Sequence, residues 1–87
     1  MDNPFKQFEV LDETIKSLSD VFEFGDVKHP GNPWKVVGAI EHLGHAFIHG
    51  EDWDQGVNED HESHLSNLAH MAVRAIMALD AEIRGKI

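Results

Sequence analysis

The chain has 87 residues, no cysteine, seven histidines and a formal net charge of −9. That length suits one small helical domain, since domains run from about 50 to 250 residues, and leaves no room for a catalytic core plus a regulatory domain. The missing cysteines exclude disulfides, thiolate nucleophiles and iron–sulfur clusters, and sixteen acidic against seven basic residues disfavour direct binding of nucleic acid.

The first predicted helix spans about residues 4–24. Asn3 is its cap and Pro4 its first residue. Phe5, Phe8, Leu11, Ile15, Leu18 and Phe22 recur every three or four residues, the period of one buried face. Gly25 reads as the stop. A loop with two prolines and two glycines follows, and the second helix is predicted over about residues 33–49. It has Asn32 as cap, Pro33 at the first position and Gly50 as stop. A polar loop from Gly50 to Asp60 leads to the third predicted helix, about residues 60–84, whose acidic start suits the positive end of a helix dipole. Between Leu68 and Leu79 only His70 and Arg74 are strongly polar. A helix apolar on nearly all sides is buried on more than one face, so a partner subunit is expected to supply one of them. No segment alternates like a strand. The expectation is an all-α, three-helix bundle, packed through its third helix in a homo-oligomer. No apolar run approaches the ~18–20 residues that cross a bilayer, and the acidic N-terminus lacks a signal-peptide core. A cytoplasmic protein without membrane contact is expected.

Chemistry-bearing residues gather on two stripes and one loop. Gly38, His42, His45 and His49 share a stripe of the second helix, and two imidazoles at such spacing can meet one metal ion or simply find polar partners. Ser63, Asn67, His70 and Arg74 form a polar stripe on the third. A structural role suits Ser63 and Asn67, and a site role suits His70 and Arg74, because a cation on an apolar helix needs an anionic partner. Glu51, Asp52, Asp54, Glu59 and Asp60 form either a solvated acidic loop or oxygen ligands for a hard cation. His61-Glu62-Ser63-His64 is not a zinc-protease motif, because its histidines are three apart rather than four. No phosphate-cradling glycine loop and no serine elbow is present.

The order Lys28-His29-Pro30-Gly31-Asn32-Pro33-Trp34, Glu41-His42-Leu43, Gly50-Glu51, Asp60-His61-Glu62-Ser63 and Leu68-Ala69-His70 resembles a phage-associated helical family, the N-terminal domain of dATP/dGTP diphosphohydrolase. The resemblance covers roughly Phe22 to Asp80. Lys28, Asn32, Trp34, His42, Glu51, Asp60, Glu62 and His70 match that family's pattern. Departures are His29 for its Tyr, Glu41 for its Arg, His64 for its Gly and Asn67 for its first His, together with a longer loop after Glu51. The resemblance implies a purine deoxynucleotide or related phosphate ligand, and hydrolysis less directly. On that reading Lys28, Asn32, Trp34 and Arg74 bind the ligand. His42, Glu51, Asp60 and His70 hold a divalent metal (magnesium, manganese or zinc), and Glu51 or His70 is the general base. The location implied is the host cytoplasm if the chain is phage-encoded. The competing reading is a small acidic phage-encoded inhibitor that occupies a basic surface of a host protein.

Overall fold

Three α-helices carry the fold in the computed structural model, which describes residues 2–87: α1 (Asp12–Lys28), α2 (Ala39–Asp54) and α3 (Asn67–Ile83). Short 3-10 turns at Lys6–Phe8 and Pro33–Val36 precede α1 and α2. The described residues form no strand, and one isolated bridge joins Glu59 to Ser66. The all-α bundle read from periodicity is therefore the fold. No helix among the described residues is long and apolar enough to cross a membrane.

α2 and α3 form the closest pair, and α1 packs on α3. The α2–α3 register is antiparallel. At one end the Ala39 N–H donates to the Lys86 carbonyl (2.9 Å) and the Ile40 N–H to that of Ile87 (3.0 Å). At the other end Gly50 lies against Met71, where a Cβ would come within 2.8 Å of the thioether sulfur.

The helix limits differ from the sequence expectation in ways that have local causes. α1 starts at Asp12 rather than near Pro4. Asn3 instead accepts the Phe5 N–H and donates to the Val10 carbonyl and the Asp12 carboxylate, closing a loop that places Glu9 in the left-handed region. Phe5, Phe8 and Leu11 therefore stay outside α1 and exposed. Gly25 does not end α1, which runs to Lys28. Pro30 ends it by forcing His29 out of the helical region. Asn32 is left-handed and caps only the 3-10 turn, and Gly38 caps α2. Gly50 does not stop α2 either, because it is a packing glycine that admits Met71. The stop is Gly56, which is left-handed (φ 94) with Gly56 N–H bonded to the Trp53 carbonyl and Val57 N–H to that of Asp52. This is a Schellman motif, and Gly85 ends α3 in the same way. α3 begins at Asn67, not Asp60, with the Ser66 hydroxyl accepting the Leu68 N–H.

The buried core is made of small side chains. Val21, Ala46, Ala69, Val73 and Ala81 are its apolar members, with His42 and Asn67 beside them. Leu18, Phe22, Leu65 and Met77 pack against Val21, Ala69 and Val73 while remaining partly exposed. Among the described residues no Leu, Ile, Met, Phe or Trp is fully buried.

Candidate functional site

The C-terminal half of α1, the loop that follows it and one face of α3 enclose a cavity of about 270 Å³. Phe22, Phe24 and Lys28 come from α1, Asn32 and Trp34 from the loop, and His49 from α2. His70, Val73, Arg74 and Met77 come from α3, and Asp60 and Glu62 from the segment before it. The walls are aromatic. Phe22 meets Trp34 edge-on at 6.0 Å, Phe24 meets His70 at 6.4 Å, and the His49 and His70 rings stack at 4.7 Å. The Lys28 ammonium pairs with the Glu62 carboxylate across the exposed rim.

Arg74 stands at the join of α3 with α2. Its guanidinium donates to His42 Nδ1 (3.1 Å), and His42 Nε2–H donates to the Trp34 carbonyl (3.0 Å). This pair of bonds fits the neutral Nε2–H tautomer. A fully buried imidazole thus ties the aromatic loop to the arginine. Burial lowers the Arg74 pKa, with Glu41 acting weakly against it, yet a guanidinium stays charged. No carboxylate lies within ion-pair distance of it among the described residues.

A second network fixes the imidazoles. Asn67 donates to the Val57 carbonyl, which orients its amide so that the oxygen accepts His49 Nδ1–H at 2.8 Å. The Ser63 hydroxyl accepts the Leu65 N–H and is hydrogen-bonded to His70 Nε2 at 2.7 Å. Asp60 accepts the N–H groups of Ser63 (2.8 Å) and Glu62 (3.2 Å), with His70 Nε2 at 4.0 Å. Burial holds the His70 pKa below its usual value, helped by His49 and opposed by Asp60. Burial alone would raise the Asp60 pKa, but its hydrogen bonds with Ser63 and the neighbouring His70 bring it below the usual carboxylate value.

Lys28, Asn32, Trp34, Asp60, His70 and Arg74, named from the sequence, thus line one cavity. His42 and Glu51 do not. His42 lies behind the wall with both ring nitrogens engaged. Glu51 is exposed on α2, and among the described residues its side chain bonds only to Gln55. The four residues expected to hold a divalent ion therefore do not converge, and no three His, Asp or Glu among the described residues are grouped to hold one. Sequence reasoning left His49, Glu62 and Phe24 out of the site. The first was visible on the histidine stripe and the second in the matched pattern, whereas Phe24 lies off the apolar period of α1 and gave no signal.

The architecture and the cavity define a small all-α domain with an aromatic, arginine-bearing pocket. The sequence profile of the family described as dATP/dGTP diphosphohydrolase, N-terminal, matches residues 6–87, and the chain belongs to that family. No curated protein and no solved structure gives a significant match.

Proposed function

We propose that the chain binds a purine deoxynucleotide, or a related phosphate-bearing small molecule, in the cavity between α1 and α3. The half-buried Arg74 carries this reading, because among the described residues its side chain hydrogen-bonds to a neutral imidazole and no carboxylate lies within ion-pair distance of it, Glu41 acting only from farther off. Burying a cation is costly until an anion meets it, and a guanidinium fork suits phosphate. The aromatic walls supply faces for a base. The cavity is just below the ~300–1,000 Å³ usual for small-molecule pockets, so it takes part of a nucleotide, with one phosphate at Arg74 and the rest of the molecule reaching the rim near Lys28. The family name points to the same ligand class.

Asp26, Asp60 and Glu62 share that cavity lining and oppose free phosphate. The reading therefore has the nucleotide arrive with a divalent ion on its phosphates, which carboxylates attract. Hydrolysis is the finer reading. His70 is neutral at neutral pH and set against the cavity, as a general base requires, whereas Glu51 is too remote for that role.

Calorimetry with dATP, dGTP, dCTP and pyrophosphate, each with and without magnesium, manganese or zinc, tests the proposal. Binding of the purine nucleotides is expected, weakened at least ~10-fold by Lys28→Gln or Trp34→Leu. No heat with any of them, with capture by a basic protein instead, would replace this reading with that of an acidic inhibitor.

A further inference from the structure

One side of the α2–α3 hairpin is covered by α1, and the other is bare. On α2, Ile40, Leu43 and Phe47 follow one another at three and four residues, so they share a stripe. They are 70%, 44% and 61% exposed. On α3, Ile76, Leu79 and Ile83 do the same and are likewise exposed. The two stripes are continuous, because Ile40, Leu43, Leu79 and Ile87 line a single shallow groove whose only charged member is Glu82.

The total area shows that the chain as a whole is under-covered for its size. A monomeric protein of 9.8 kDa exposes ~5,200 Å², whereas this chain exposes 6187 Å². The excess of roughly 1,000 Å² exceeds the ~800 Å² that each partner buries in a standard interface. That excess belongs to the whole surface, the Phe5–Leu11 arm included, and the bare α2–α3 face is one continuous apolar part of it.

We infer that this face seats a second copy of the chain, joining two α2–α3 hairpins into a four-helix bundle with the two α1 helices on the outside. Two antiparallel helices with a bare apolar back meet most simply by a two-fold axis, which apposes the same stripe on both copies. A basic partner would need carboxylates on the face, and the groove offers one. The apolar N-terminal arm cannot be the occupant, because Asn3 ties it to Val10 and the start of α1. The acidity of the chain acts against pairing, so salt that screens two copies of charge −9 strengthens the dimer.

Sedimentation equilibrium of the intact chain at ~100 µM tests this. Twice the chain mass is expected, with more dimer at higher salt, and Leu79→Glu weakening association at least roughly 30-fold. A monomer at that concentration overturns the inference, as does a dimer that a folded Leu79→Glu chain retains or that salt dissolves. Where Leu79→Glu fails to fold, single thiols decide, because the chain has no cysteine of its own. Leu79→Cys, near the centre of the face, is expected to form a covalent dimer on oxidation and Phe8→Cys is not. The opposite pattern overturns the proposal. Calorimetry of the nucleotide site is a separate readout, so either proposal can fail alone.

Discussion

The bond from Arg74 to His42 couples charge, core and loop in one place, since the same imidazole also holds the Trp34 carbonyl. His42→Ala would orphan both partners and open a void where the side chain is fully buried. A loss of about 2–4 kcal/mol in urea unfolding is expected. His64 makes the converse case. It holds φ 60, a left-handed conformation that costs a residue with a Cβ about 1 kcal/mol or more, and it stands where the resembled family carries glycine. His64→Gly is therefore expected to raise the melting temperature. The lowered pKa of His70 has a definite sign. Its folded-state value lies below 6.5, so its stabilisation is complete above pH 6.5 and lost as pH falls from there through the lowered value. His70→Asn should make stability fall less steeply between those limits, the slope that remains there coming from His45, whose pKa burial also lowers. The drop that remains below the ordinary Asp range belongs to Asp60, whose carboxylate is favoured in the fold. At this scale the sequence revealed which residues carry chemistry but not always where they point. Helical arithmetic put His42 and Glu51 at relative angles. It could not say that one direction faces α3 and the other faces away.

Among the elements, the stops were misread for a common reason. Gly25 and Gly50 read as breakers in the sequence, yet a helical glycine costs only about 1 kcal/mol and both helices run through. The informative glycines were Gly56 and Gly85, whose left-handed caps depend on bonds back into the last turn. α1 and α3 also start later than the sequence suggests, because Asn3 and Asp60 hold loop amides with their side chains. Gly38 is a different kind of glycine. A Cβ there would lie 2.7 Å from the Ile87 carbonyl oxygen, in the tail that caps the first turn of α2. Gly38→Ala is expected to destabilise the chain by about 1–2 kcal/mol, and so is removal of Lys86 and Ile87. The double change should cost clearly less than their sum, since truncation removes the clash. A thermodynamic cycle from chemical denaturation reads this directly.

For the whole molecule, the helical period was enough to give three helices and no strand, since each long segment repeats every three to four apolar residues. The pairing was not legible, because a period gives a face but not its partner. The sequence pointed to α3 as the helix needing a second subunit. The bare surface is in fact shared, with Ile40, Leu43 and Phe47 of α2 forming half of it. If that surface is closed by a copy, folding is linked to association, and the melting temperature should climb with protein concentration in scanning calorimetry. A concentration-independent midpoint would mean that the small-residue core is sufficient by itself.

The segment between α2 and α3 has a kinetic consequence. Gln55 to Ser66 contains no helix, yet the Asp60 N–H is held by Leu65, that of His64 by Asp60, and that of Asn67 by Asn58. Amide protons there should exchange with deuterium slowly, at rates set by opening of the loop as a unit rather than by fraying. The cavity rim it forms has then already given up its conformational freedom, and an arriving ligand has little ordering left to impose.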